Sequence, residues 1–238
     1  MKTPQPRILH SALIYIDDIL LFNNSWEEHF QLLNTFHNIV KQYGIMLSEK
    51  KMILAKQEIS FLGMKISNGT CTPEQHVGQS IKDFPEENLT KTQVQQFLGV
   101  INYVREFIPK TAKQAKHISP LTKMLKKNPP PWGSSQTQAI QNLKEELQKL
   151  PTLYIPSNGK RIFQTDASDK FWEAVLLEED KQGTKHCCGF ASEKFKNSEQ
   201  HYHSTFKEIL AVRNDIKKFY FFLISHHFLV EMDMGSFP

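Results

Sequence analysis

Two adjacent aspartates, Asp17 and Asp18, lie between two short apolar runs near the start of this 238-residue chain. Residues 13–16 and 19–22 each have the length and composition of a buried β-strand, and together they predict a hairpin with both carboxylates at its tip. Adjacent carboxylates repel each other unless a cation lies between them, and a hard divalent cation such as Mg²⁺ prefers oxygen ligands. The pair therefore indicates metal-assisted phosphoryl chemistry, or else two solvated turn residues.

Three further acidic residues lie in three separate predicted elements. Asp166 closes a strand, Glu208 lies within a long helix and Asp233 ends the last strand. A two-metal nuclease needs carboxylates from several elements, because one stretch of chain cannot surround a pair of metal ions. Each of these acids could also be a surface carboxylate, and for Glu208 taken alone that is the better interpretation.

The composition indicates a folded, globular protein but says little about its function. A hydrophobic content of 39% supports folded cores, and a net charge of +4 is a weak argument for nucleic-acid binding. The distribution of charge is more informative, because no Asp or Glu occurs between Glu106 and Glu145. The lysines of this basic stripe are Lys110, Lys113, Lys116, Lys123, Lys126 and Lys127. Such a stripe could bind the phosphate backbone of a nucleic acid. Alternatively, it could be a solvated helix face, which would have the same composition.

The three cysteines, two of them adjacent at Cys187 and Cys188, do not form a disulfide framework. Adjacent cysteines also lack the spacing of a zinc site, even with His186 beside them. The sequence has no signal peptide and no apolar stretch long enough to span a bilayer. These features predict an intracellular protein, cytoplasmic or nuclear, with no membrane partner.

Local signals place the elements. Capping boxes at Ser25 and Thr90 each open a helix, which Gly44 and Pro109 respectively end. Asn68-Gly69 predicts a turn between strands. Further helices are predicted near 120–127, 140–150 and 198–222, and strands near 52–54, 59–66, 161–167, 172–179, 185–191 and 228–233. The helix at 198–222 has Tyr202, Phe206, Ile209, Ile216 and Tyr220 at helical spacing.

Several motifs, in order along the chain, resemble those of a single family. Tyr15-Ile16-Asp17-Asp18 resembles the YxDD box of reverse transcriptases. Residues 44–51 resemble the end of the polymerase palm, 61–64 the primer-grip hairpin and 96–109 the thumb entry of Gypsy-class retrotransposons and plant pararetroviruses. Residues 164–169, 202–212 and 232–233 resemble the RNase H domain of the same elements. The chain is identified by this resemblance as a reverse transcriptase/RNase H segment, most similar to caulimovirus-type pararetroviruses, including endogenous copies.

The resemblance implies an α/β (α+β) fold, with a partial palm and a helical thumb followed by a truncated RNase H-like α/β domain. The implied domains are the palm remnant at 1–85, the thumb at 86–127, a connection at 128–156 and the partial RNase H-like domain at 157–238. The implied ancestral activity is DNA synthesis on an RNA template, with hydrolysis of the RNA strand in RNA–DNA hybrids.

The resemblance also implies roles for individual residues. Two-metal Mg²⁺ sites would use the catalytic carboxylates Asp17, Asp18, Asp166, Glu208 and Asp233. Nucleic-acid contacts would come from Tyr15, Phe61, Leu62, Gly63, Lys113, Lys116 and Lys123. Lys51 matches a lysine that would act as general acid towards the leaving pyrophosphate. The implied partners are an RNA–DNA hybrid or primer–template duplex, and a dNTP in the complete enzyme.

The family's upstream palm aspartate, fingers and fourth RNase H acid have no counterpart in these 238 residues, which predicts impaired catalysis. Glu173 and Glu193 stand where relatives usually have glycine, so strain is expected if the backbone there needs positive φ or a close approach. Two alternatives remain open, a non-catalytic nucleic-acid-binding fragment and an inactive product of a decayed endogenous element.

Overall fold

The structure is a computed structural model that describes residues 7–9, 11–23, 25–109, 111–224 and 226–232, without the side chains of 7–9 and 111–116. The chain divides into two compact units, Met1–Gln57 and Glu58–Pro238. Their boundary falls inside the segment predicted as palm remnant. Helices and sheets occur in both units, which confirms the predicted mixture of α and β structure. None of the helices among the described residues is long and apolar enough to cross a membrane.

The described part of the first unit is a three-stranded antiparallel sheet followed by one long helix. The sequence predicts the hairpin and the helix but not the first strand. Ser25 caps the helix by accepting a hydrogen bond from the Glu28 amide, and Gly44 ends it at a φ of 62°. The predicted strand at 52–54 is wrong, because these half-exposed residues pair with no strand in the part of the chain that the structure describes. The elements are β1 (Arg7–Leu9), β2 (Ala12–Tyr15), β3 (Asp18–Leu21), α1 (Trp26–Tyr43) and a 3₁₀ turn at Glu49–Lys51.

The second unit contains two four-stranded sheets and six helices among its described residues. Its first half contains β4 (Glu58–Phe61), β5 (Met64–Ser67), β6 (Thr70–Pro73), α2 (Gln75–Lys82), α3 (Lys91–Tyr103), a 3₁₀ turn (Arg105–Phe107), α4 (Thr111–Met124) and α5 (Ser134–Leu147). Its second half contains β7 (Leu153–Tyr154), β8 (Lys160–Ala167), β9 (Phe171–Glu179), β10 (Lys185–Lys194), a 3₁₀ turn (Glu199–His201), α6 (Ser204–Lys218), α7 (Tyr220–Leu223) and β11 (Phe228–Met232).

The helices α2 to α5 form one hydrophobic core with the first sheet of this unit. The predicted capping box at Thr90 is present in full, and α3 buries Phe97 on its inner face. The predicted helix start at Pro120 is wrong, because α4 begins at Thr111 and runs through the proline. Proline suits a first turn, but here Leu121 is fully buried in the core, and this packing outweighs the hydrogen bond that a proline removes.

The predicted connection at 128–156 is folded into this core. Ile140 and Leu143 of α5 are fully buried in the same cluster as Phe97. Strand β7 extends the first sheet by pairing antiparallel with β6, with Leu153 opposite Cys71. At Asn68-Gly69 both residues have positive φ, at 49° and 71°, which is the geometry of the type I′ turn that joins β5 to β6.

The second sheet has the strand order β10-β9-β8-β11, with β8 parallel to β11 and antiparallel to β9. Helix α6 packs on one face, where Phe219 contacts Phe163. On the other face, the 3₁₀ turn Arg105–Phe107 and α4 pack along β9 and β10 and leave Gln164 and Asp166 exposed.

The single helix predicted at 198–222 is divided into the 3₁₀ turn, α6 and α7. Most of its apolar stripe also faces outwards, since Phe206 is 62% exposed and Ile209 is 42% exposed, whereas Ile216 packs against the core. The residues that α6 turns to the sheet are instead Lys207, Ala211 and Asp215.

Candidate functional site

Asp17 and Asp18 lie at the tip of the β2–β3 hairpin and are exposed. Tyr15, half-buried, pairs with Asp18 across the hairpin, so Ile16 and Asp17 form a two-residue turn. Ile16 has a φ of 53°, which is strained for a β-branched residue and is typical of backbone held for a functional purpose. Two exposed carboxylates on a fixed turn are suitable ligands for a hard divalent cation. Lys51 is exposed in the 3₁₀ turn of the same unit, and its role as general acid stays a prediction.

Of the predicted primer-grip residues, Phe61 ends β4, and Leu62 and Gly63 form the tight turn between β4 and β5 in the second unit. Leu62 and Gly63 have φ values of 50° and 69°, the conformation of a two-residue turn between paired antiparallel strands. The Tyr103 hydroxyl at the end of α3 donates a hydrogen bond to the Leu62 carbonyl oxygen. A Cβ atom at Gly63 would collide with that hydroxyl unless Tyr103 shifted, and the positive φ also favours glycine here. The turn is therefore fixed against α3.

A groove of about 440 Å³ continues from this turn between α2 and α3. Its lining includes His76, Ser80, Gln96, Gly99, Val100 and Tyr103. Gly99 lies inside α3, where glycine costs roughly 1 kcal/mol relative to alanine, and a Cβ atom there would meet nothing within 4 Å. Internal packing does not require this glycine, and the sequence alone carries no signal of the groove, because residues of two separate helices line it.

Apart from Lys110, which lies outside the described residues, the basic stripe lies on α4 and the turn after it. Of the three lysines predicted to contact nucleic acid, Lys123 is exposed, whereas the side chains of Lys113 and Lys116 are outside the described residues. Lys126 and Lys127 are also exposed. The role of the stripe in binding a phosphate backbone stays a prediction.

Asp166 is exposed at the end of β8, on the sheet face against which α4 packs. The residue directly opposite on β9 is Glu173, and Ser192 of β10 is next in the same row. Glu173 and Glu193 lie in regular paired strands, and neither has positive φ. The strain that positive φ would cause at these two positions is therefore absent. Glu173 instead places a second carboxylate beside Asp166, and like charges directly opposite each other are destabilising.

Glu208 is half-buried in α6, which packs against the other face of β8. Asp233 lies outside the described residues. Within the described ranges, no group of three or more His, Cys, Asp or Glu side chains is arranged to hold a metal ion. The carboxylate chemistry of Asp166 and Glu208 fits Mg²⁺, and their convergence with Asp233 stays a prediction.

Family models match two segments of the chain. Residues 3–66 match "Reverse transcriptase (RNA-dependent DNA polymerase)", and residues 132–230 match "RNase H-like domain found in reverse transcriptase". The first match contains the Asp17–Asp18 hairpin and the primer-grip turn. The second contains Asp166 and Glu208.

Viral polyproteins are similar over nearly the whole chain. The genome polyprotein of Petunia vein clearing virus is 58% identical over all 238 residues, which cover 11% of that polyprotein. The enzymatic polyproteins of figwort mosaic virus and cauliflower mosaic virus are 39% and 40% identical over 95% and 94% of this chain. The chain is a reverse transcriptase/RNase H segment of the pararetroviral type. This segment spans about a third or less of the length of these relatives.

Solved structures confirm the fold of the segment. The foamy viral protease–reverse transcriptase in complex with RNA/DNA hybrid superposes with a TM-score of 0.76 and 22% identity, covering 96% of this segment and 31% of that chain. The same protein in complex with dsDNA gives a TM-score of 0.74, covering 94% of the segment and 47% of that chain.

Proposed function

We propose that this segment binds an RNA–DNA hybrid or primer–template duplex and contributes to RNA-directed DNA synthesis and to hydrolysis of the hybrid's RNA strand. The observation that carries the proposal is that the second unit contains three candidate sites. One compact body holds the Leu62–Gly63 turn, the groove between α2 and α3, and the sheet face with Asp166. The foamy viral enzyme of the same fold was solved with both an RNA/DNA hybrid and dsDNA, which supports a duplex as the ligand.

The groove has the features of a surface that a nucleic acid backbone approaches closely. Gly99 leaves open space in the middle of α3, and Gln96 and Ser80 supply hydrogen-bonding groups beside it. Sugar and groove edges of a duplex offer hydrogen-bond acceptors that such side chains can contact without reading sequence. The adjoining turn at Leu62 is immobilised by Tyr103, so a strand held there keeps a fixed position relative to the groove.

Replacing Gly99 with leucine should weaken duplex binding without harming the fold. The new side chain projects into open groove space, and leucine is a better helix former than glycine, so the melting temperature should stay constant or rise. We expect the Kd for a fluorescent RNA–DNA hybrid, measured by anisotropy at fixed salt, to rise about tenfold or more, since a blocked groove forfeits its contacts.

Gly78 provides a matched control for this substitution. It lies within α2, a Cβ atom there also meets nothing within 4 Å, and it does not line the groove. Gly78→Leu should therefore leave hybrid affinity unchanged. Equal affinities for Gly99→Leu and the parent would show that the duplex does not enter this groove.

For the hydrolytic activity, Asp166 and Glu208, with Asp233, are the residues that would hold Mg²⁺. The metal would supply a water activated for attack and would stabilise charge on the scissile phosphate. We propose that this activity is weak, because Glu173 places a further carboxylate beside Asp166 on the face that a phosphate backbone must approach. Asp17 and Asp18 would hold Mg²⁺ for dNTP addition in the complete enzyme.

The Glu173→Gln substitution should raise the rate at which this segment cleaves a labelled hybrid in Mg²⁺, by several-fold. The change removes one negative charge next to Asp166, so both strand repulsion and phosphate repulsion decrease. Glu179→Gln, six residues away on the same strand and the same face, is the control and should not alter the rate. Asp166→Asn should abolish cleavage, and a rate that survives this change would come from another site.

A further inference from the structure

Lys207 is a charged side chain on the inner face of α6, and only 9% of it is exposed. Burial of an ammonium group is costly unless the charge is paired. The Lys207 Nζ atom lies 3.3 Å from Oδ1 of Asp169, which is almost fully exposed in the connection between β8 and β9. The lysine stem is thus buried between helix and sheet, and its charged end reaches the rim.

Each end of this ion pair lies next to a proposed metal ligand. Asp169 follows Asp166 by three residues, and Lys207 immediately precedes Glu208. The pair therefore links the segment just after strand β8 to the beginning of helix α6, close along the chain to both carboxylates. Along the chain, by contrast, more than 40 residues separate Asp166 from Glu208.

The β8–β9 connection is otherwise a compact turn. The Ser168 amide donates to the Phe171 carbonyl oxygen at 2.9 Å, and the Ser168 hydroxyl contacts the same oxygen at 3.0 Å. The Phe195 amide donates to the Lys170 carbonyl oxygen at 2.8 Å, which fixes the turn to the end of β10. None of these bonds reaches α6, and Lys207 supplies that link.

We propose that Lys207 is a positioning residue that, through Asp169, sets the separation of the Asp166 and Glu208 carboxylates for a divalent cation. This inference rests on the proposed RNase H function of the site. Lys207 does not contact the cation. It holds strand β8 and helix α6 at a fixed distance from each other. The two carboxylates are therefore already ordered before the cation binds, and binding does not have to supply the free energy for ordering them.

Metal binding tests this role without reference to turnover. The Kd for Mn²⁺ is measured from the free-ion electron paramagnetic resonance signal, in the parent and in Lys207→Met, Lys207→Arg and Asp169→Asn. We expect Lys207→Met and Asp169→Asn each to weaken Mn²⁺ binding about tenfold, as is typical when a group supporting a ligand is lost. Lys207→Arg should restore most of the affinity, and the double variant should be no weaker than either single one.

Amide exchange of residues 168–170 in the metal-free protein gives a second readout. It should accelerate in Lys207→Met and not in Lys217→Met, which removes an exposed lysine from the same helix. Asp169 is exposed, so Asp169→Asn keeps the test valid even if Lys207→Met fails to fold.

The Mn²⁺ measurements distinguish a failure of the positioning role from a failure of the proposed metal site. A parent that binds no Mn²⁺, or binds it equally after Asp166→Asn, contradicts the proposed metal site itself. A parent that binds at Asp166, with unchanged affinity in Lys207→Met or in Asp169→Asn, overturns the positioning role while leaving the site intact.

Discussion

Asp215→Asn should raise the melting temperature of this segment at pH 7 by about 10 °C. Asp215 is 1% exposed on the inner face of α6, and neither carboxylate oxygen has a hydrogen-bond partner among the described residues. Burial raises the pKa of this group from 3.8 to about 8. At pH 7 the folded protein must therefore hold a proton that the unfolded chain has released, which costs about 4 kcal/mol. For a unit of this size, each kcal/mol corresponds to roughly 2–4 °C.

The direction of the pH dependence follows from the raised pKa. The native state binds the proton more tightly than the unfolded state, so the favourable contribution is complete below about pH 4 and is lost as the pH rises towards 8. The charged groups on the same sheet face do not relieve the cost, because Arg161 and Glu178 contact each other and Lys207 contacts Asp169. The gain in Asp215→Asn should therefore be large at pH 8 and vanish near pH 4.

Thermal melting from pH 4 to pH 9 measures this difference. Asparagine has nearly the same shape as aspartate and would lack partners equally, so the comparison isolates the ionisation. Glu145→Gln, which neutralises an exposed acid on α5, should show no comparable gain. Parallel pH profiles for the parent and Asp215→Asn would show that Asp215 finds a partner or water in solution.

Elements that local chemistry specifies were predictable from the sequence. The Ser25 and Thr90 caps and the Asn68-Gly69 turn each require only neighbouring residues. The start of α4 was not predictable, because Pro120 is tolerated in mid-helix only through tertiary packing. Similarly, the spacing of Phe206 and Ile209 predicts a helix, but periodicity does not determine which face meets the sheet.

Some of the candidate sites could likewise be predicted from the sequence, and others could not. Asp17 and Asp166 stand out because a carboxylate directly follows an apolar run or ends a strand. The groove is formed where α2 and α3 meet, so no single stretch of sequence contains it. Asp215 could not be found as a buried acid, because its place on the inner face of α6 contradicts the usual exposure of aspartate.

Glu178→Gln should lower the melting temperature at pH 7 by roughly 10 °C. Glu178 is buried on β9 and accepts hydrogen bonds from the Ser157 amide at 2.8 Å, the Ser157 hydroxyl at 3.0 Å and the Gly159 amide. Its Oε1 atom lies 3.7 Å from Nη1 of Arg161, which is also buried. Removal of one partner of a buried pair leaves the other charge uncompensated, typically at a cost of about 3–5 kcal/mol.

The network ties three parts of the domain together. The Arg161 guanidinium donates to the carbonyl oxygens of Ser157 at 2.6 Å, Gly159 at 2.7 Å and Phe222 at 3.2 Å, so it joins β8 to the preceding loop and to α7. Gly159 permits the close approach, because a Cβ atom there would lie 2.5 Å from Glu178 Cγ. Loss of the carboxylate should therefore loosen both the loop and α7.

The adjacent residue Glu179 gives the matched control for Glu178→Gln. It is half-exposed on the opposite face and lies 3.9 Å from the Lys160 ammonium, a pair of the surface kind that contributes below about 1 kcal/mol. Burial alone would raise the pKa of Glu178, but the Ser157 and Gly159 hydrogen bonds and the Arg161 charge hold that pKa below its usual range. This contribution is present above about pH 4.5 and is lost as the pH falls, so the difference between Glu178→Gln and the parent should narrow towards pH 3. If Glu178→Gln and Glu179→Gln melted together at pH 7, the buried carboxylate would not be the group that holds the loop and α7 to the sheet.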